Sequence, residues 1–211
     1  MSKEFIKITW AAVDRKIKAT LAETDKFMGA LRNDFKFSQA VLRKDPRNQI
    51  LRRIAVRSFC ALVEAATHEM KWFSLNFHSY LHAKLSEADI ACLREESYEL
   101  DDKGRSVTKS LRLKTMSNFI FACKTNGLVF CAAHDVDFKA DGWLCVKETF
   151  KIRDRLMHPK LARGIDLTDD EAVLLEKAAK WFFDEMHKLS KSWDVNKAFD
   201  RRSSGKLSEL N

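Results

Sequence analysis

Residues 48–83, NQILRRIAVRSFCALVEAATHEMKWFSLNFHSYLHA, decide the fold class. Leu51, Ala55, Phe59, Leu62, Ala66, Met70, Phe73, Phe77 and Leu81 recur at steps of three and four, which lays one apolar stripe along a single helix face. The spacing predicts a long central core helix. Upstream, residues 9–43 also read as helical, with a break expected near Gly29, and Pro46 separates them from the central helix. Downstream, Thr115 stands where it can cap a helix carrying Met116, Phe119, Ile120 and Cys123, ending near Gly127. A further helix is expected from Asp141 or Gly142 to about Met157, because Pro159 biases His158 away from the α region. Thr168-Asp169-Asp170-Glu171 reads as a capping box opening a last helix, whose stripe is Ala172, Leu175, Ala179, Phe182, Met186, Leu189 and Trp193.

Composition agrees with this pattern. The chain of 211 residues holds only 6 Gly and 2 Pro, too few turn residues for a many-stranded sandwich, barrel or Gly-rich nucleotide fold. Apolar residues make up 45%, enough for one sizeable core, and no uncharged apolar run offers a membrane span. Between the central helix and Thr115, the polar stretch Ser97 to Ser110 contains a turn-like Asp101-Asp102-Lys103-Gly104. The expectation is therefore an all-α bundle of about five or six helices. It forms one domain over residues 1–193, with a small irregular or hairpin insert near 97–114 and a polar, unstructured tail over 194–211.

Charged residues at Lys3, Glu4, Lys7, Asp14, Arg15, Lys16 and Lys18 interrupt any apolar segment of the kind a secretory leader needs, so a cytoplasmic protein is expected. Cys60, Cys92, Cys123, Cys131 and Cys145 contain no Cys-x-x-Cys, which indicates neither a disulfide framework nor a zinc site. His78 and His82 lie four apart with no nearby acid or cysteine to complete a metal site. Glu64 and His68 share that spacing and read as a polar pair flanking the core stripe. No phosphate-cradling Gly-rich motif is present. No cofactor or metal is expected.

The net charge of +8 favours a polyanionic partner. Basic residues gather at Arg43, Lys44, Arg47, Arg52, Arg53 and Arg57, again at Arg105, Lys109, Arg112 and Lys114, and a third time from Lys147 to Arg163. The first two runs read best as solvated helix faces. The third contains a motif, Lys151-Ile152-Arg153-Asp154-Arg155-Leu156-Met157-His158-Pro159-Lys160. On a regular helix Arg153 and His158 differ by about 140° in azimuth and ~7.5 Å in rise, so they share a side only if the helix loosens at its end, as Pro159 allows.

An Arg, a polar residue, then His after four intervening positions resembles the signature of the HEPN domain family, helical nucleotide-binding and ribonuclease domains. The resemblance spans residues 48–193, and only the short signature is specific. It implies an all-α domain that dimerises so that two Arg/His pairs face one cleft and cut RNA without a metal. Arg153 and His158 would then be catalytic and Asp154 supporting. Lys151, Arg155, Lys160 and Arg163 would hold the RNA backbone. Such a protein would be a homodimeric endoribonuclease leaving 2′,3′-cyclic phosphate ends, in the manner of a toxin or defence effector with an antitoxin or other regulator protein as partner. The alternative is a non-catalytic helical module that binds nucleotide, RNA or an antitoxin-like protein through the same face. Taken as an ordinary helix end, Arg153-Asp154 is a surface ion pair and His158 a C-terminal cap.

Overall fold

The computed structural model describes residues 10–205, without the side chains of Ala162, Arg163 and residues 201–205. It is a helical bundle with one small hairpin. The elements run α1 (Trp10–Lys44), α2 (Gln49–Phe77), α3 (Glu87–Arg94), β1 (Glu96–Leu100), β2 (Ser106–Ser110), α4 (Thr115–Val129), α5 (Asp141–Met157), a short 3-10 turn (Ala162–Ile165), α6 (Asp169–Lys191) and α7 (Val195–Gly205).

The predicted stripe makes α2 the centre of the bundle. Ala55, Phe59, Leu62, Phe73 and Phe77 are buried along it, and α1, α4, α5 and α6 all pack on it. Its start is set by Asn48, whose side-chain oxygen accepts hydrogen bonds from the Ile50 and Leu51 amides. One core cluster joins Phe35 of α1, Phe59 of α2, Phe119 of α4, Trp143 of α5 and Phe182 of α6. A second, at the far end of α2, joins Val13, Phe73, Phe77, Phe130 and Ala198.

Helix α2 stops at Phe77, so Leu81 of the expected stripe is buried in the second cluster but outside the helix, and α6 stops at Lys191, two residues short of Trp193. The structure departs from the sequence reading in four further places. Helix α1 runs through Gly29 without a break, since packing of both its halves on α2 outweighs the modest helix cost of one glycine. Lys114, not Thr115, occupies the cap position of α4, which has no side-chain cap and continues past Gly127 to Val129. An eight-residue α3 adds a helix the periodicity did not suggest; Ser86 and Asp89 form a capping box at its start. Finally, residues 195–205 are helical, whereas the expectation was an unstructured tail from 194. Ala198 is fully buried in the second cluster, Phe199 packs on Trp10 with ring centres 4.9 Å apart, and the Asp194 amide donates to the Phe130 carbonyl at 2.9 Å. So short an apolar face, Val195, Ala198 and Phe199, is invisible without the surface it docks on. The remainder of the expected tail, 206–211, lies outside the described residues.

The insert is a hairpin, as one of the two expectations had it. Its strands pair antiparallel with Tyr98 opposite Thr108, and Gly104 takes the left-handed conformation the turn demands at φ +72°. Asp101 closes the turn by accepting from the Lys103 and Arg105 amides, which holds its carboxyl below the usual range.

Among the described residues, no helix is long and apolar enough to cross a membrane.

Candidate functional site

Helix α5 carries the motif, and its seating on the bundle fixes which way the motif faces. Trp143, Val146, Phe150, Ile152 and Leu156 are buried. At its first turn the helix lies so close to α6 that a Cβ on Gly142 would fall 2.3 Å from the Trp181 side chain. Glycine is required there for contact rather than for backbone freedom.

This orientation turns Arg153 toward α2. Its guanidinium Nη2 lies 3.0 Å from Glu64 Oε1, its Nε lies 3.1 Å from Asp154 Oδ1, and the group sits 5.1 Å over the Phe150 ring. The Asp154 contact is ionic in character, since Nε makes no aligned hydrogen bond. Cys60 of α2 lies beneath this cluster. Burial pushes its thiol up to about 12, Arg153 pulls it down, and Glu64 and Asp154 push the same way as burial. It is accordingly a core residue and not a nucleophile.

His158 ends the helix. Its backbone leaves the α region, with φ −130° and ψ 61°, while its amide still donates to the Asp154 carbonyl at 3.0 Å. The imidazole is exposed and takes no hydrogen-bond or ionic partner among the described residues. Of the two roles open to Asp154, orienting that ring or pairing with a neighbouring arginine, the structure has the second. Glu64 likewise faces Arg153. His68 instead borders a small surface cleft with Phe27 and Trp72.

The remaining motif cations differ in how far they are committed. Arg155 grips Glu171 with both terminal nitrogens at 3.0 Å and reaches the Asp166 carbonyl at 3.3 Å. Because Glu171 also accepts from the Thr168 amide in the predicted capping box, Arg155 ties the end of α5 to the start of α6. Lys151 pairs with Glu148 one turn before it at 2.6 Å. Lys160 is exposed and unpaired among the described residues. The Arg163 side chain lies outside the described ones. His78 Nδ1–H donates to the Leu75 carbonyl at 2.8 Å, and no group of three or more metal-ligating side chains occurs among the described residues.

The sequence reading missed what holds the connection between α5 and α6. Gln49 makes two hydrogen bonds to the Leu167 backbone, at 2.8 and 3.0 Å. Arg52 donates to the Pro46 and Leu167 carbonyls, both at 2.7 Å, and pairs with Asp169, whose carboxyl it holds below the usual range. Arg53 reaches the Ile165 carbonyl at 3.4 Å and the Asp166 carboxylate at 3.7 Å; Arg57 reaches the Leu156 carbonyl at 3.5 Å. Part of the first basic run is therefore a clamp rather than a solvated face. The only sequence signal was its spacing at 49, 52, 53 and 57, beside the apolar stripe.

The arrangement brings one exposed imidazole to the end of a helix whose preceding turn presents a half-buried guanidinium, and it clamps the chain that follows. Such a pair can move a proton and hold an anion. Compared with protein-family models, with curated proteins and with solved structures, the chain matches none of them.

Proposed function

We propose that the chain is a HEPN-like, metal-independent endoribonuclease acting as a homodimer. The observation that carries this reading is the His158 ring, exposed and unpartnered among the described residues at the opened end of α5, one turn beyond Arg153. Cutting RNA through its own 2′-hydroxyl requires a base for that hydroxyl, an acid for the leaving 5′-oxygen and positive charge at the crowded phosphorane. Imidazole holds both proton states near neutrality, and guanidinium is always charged. Glu64 occupies Nη2 of Arg153 and Asp154 lies beside Nε, which leaves the Nη1 donors for a phosphate oxygen. One His158 takes the proton from the 2′-hydroxyl, the oxygen attacks phosphorus, and a second His158 protonates the departing 5′-oxygen. A two-fold dimer supplies that second ring. Lys160, and in part Lys151, would steady the backbone.

A second reading has an observation of its own. Arg153 and Arg155 are both met by carboxylates of the same chain, which lowers the net positive charge where RNA would lie. That favours a non-catalytic module whose partner is a nucleotide, RNA or antitoxin-like protein.

Incubating the protein with cellular RNA in excess chelator, beside the His158→Ala variant, separates the two. Cleavage that is lost in the variant and leaves 2′,3′-cyclic phosphate and 5′-hydroxyl ends is expected. Binding without cleavage supports the module. Ends bearing 5′-phosphate, or cleavage of an all-deoxy strand, overturn the mechanism, and a monomer in light scattering with RNA present overturns the shared site.

A further inference from the structure

Across α2 from the candidate site lies a groove of about 830 Å³, walled by α1 and α6 and floored by α2 and α4. Leu62 and Ala66, which line it, are each two positions from Glu64, so they stand about 200° round the helix from the Arg153 contact. The groove is mostly apolar. Met28, Met70 and Met186 face it together with Phe73 and Phe183, a lining of flexible thioethers and rings that adapts to an apolar guest.

Two polar atoms among its lining residues have no partner. Asn126 is completely buried; its Nδ2 reaches the Met70 carbonyl at 3.4 Å, while Oδ1 accepts nothing. Trp193, fixed by stacking on Phe130 at 4.3 Å, has a buried Nε1–H that donates to nothing. Both atoms are buried beneath the surface of the groove, so that end of it is apolar. Toward the other end of the α1 wall stand Arg32 and Lys36, one turn apart. Arg32 is loosely paired with Asp25 at 3.5 Å and Lys36 has no partner among the described residues, whereas Glu69, the other acid in the lining, already accepts the Thr24 hydroxyl at 2.6 Å. The α1 positions that line the groove, 21 to 36, span about 22 Å.

We propose that this groove binds a small amphipathic organic acid. Its acidic head meets Lys36 and Arg32, and its apolar body lies along the methionines. The proposal is independent of the nuclease reading.

The probe is dodecanoate, compared by titration calorimetry with the dodecyltrimethylammonium cation. One site per chain is expected for the acid, with the cation at least ~10-fold weaker. Joint Arg32→Glu and Lys36→Glu exchange should weaken the acid at least ~10-fold, while Lys124→Glu, on the surface of α4, should change nothing. Ala22→Trp, at an exposed lining position, should block binding with the helical circular dichroism unchanged. Equal affinity for the cation, several weak sites, or binding indifferent to both the charge reversal and Ala22→Trp would overturn the proposal. So would a change of molecular mass in Ala22→Trp, which would make the groove an interface between copies.

Discussion

Arg52 of α2 and Arg153 of α5 share a side-chain chemistry, yet they have opposite prospects. Arg52 is 6% exposed, and its guanidinium spends its donors on two backbone carbonyls and on Asp169. Arg153 is 24% exposed, meets two carboxylates and the Phe150 ring but no backbone carbonyl, and keeps Nη1 donors in hand. An arginine bonded to backbone carbonyls holds a chain in place, because those acceptors cannot turn to water without the loop moving. An arginine balanced by side-chain carboxylates holds charge, which an incoming phosphate can contest.

The strongest way to break this contrast is to exchange the two losses. His158→Ala should abolish RNA cleavage, by at least ~100-fold, with stability altered by no more than about 0.5 kcal/mol, since the ring is exposed and unpartnered. Arg52→Ala should do the reverse, costing about 2 kcal/mol by leaving the Pro46 carbonyl unpaired and the Leu167 carbonyl to Gln49 alone. Chemical denaturation and a cleavage assay on both variants check the pair. An active His158→Ala would put the chemistry elsewhere.

Salt dependence sharpens the same distinction among the motif cations. Lys160→Ala should flatten the slope of RNA affinity against salt by about one unit, whereas Arg155→Ala, whose guanidinium is committed to Glu171, should leave the slope alone and lower the melting temperature. A smaller effect is expected from Glu64→Gln. Removing the carboxylate that competes for Arg153 should tighten RNA binding by about threefold, measurable by anisotropy. A weakening would mean that Glu64 positions the guanidinium rather than competing for it.

The smallest effect concerns pH. Glu95 accepts a hydrogen bond from buried Lys71 at 2.6 Å, which holds its carboxyl below the ordinary glutamate range. A depressed pKa means that this contribution is present above the unfolded value and is lost as pH falls through the folded one. Glu95 is half exposed, so the gain is screened and modest. Glu95→Gln should lower stability slightly at neutral pH and leave it unchanged below the folded-state titration, which flattens the acid limb of the stability curve.

Periodicity and punctuation made much of the fold legible. The α2 stripe, the start and stop of α5 and the Thr168–Glu171 capping box all rest on neighbours within one or two turns, so local sequence contains their cause. Helices α3 and α7 were not legible, one because it is eight residues long and the other because its stability comes from Ala198 and Phe199 meeting a surface built by residues far away in the chain. Within the candidate site, the chain order of Arg153, Asp154 and His158 could be read directly, while the partner of each could not.

By itself, then, the sequence determined an all-α chain with a cationic segment ending in His158-Pro159, since helical period, capping and the missing proline amide act over a few residues. Only the tertiary structure decided which cations remain available. Arg52 and Leu167 are 115 residues apart and Arg155 and Glu171 are 16, and pairs of that kind form when helices pack, not when they form. The groove behind α2 belongs to the same class: Lys36, Met70 and Met186 come to line one space that four helices leave between them.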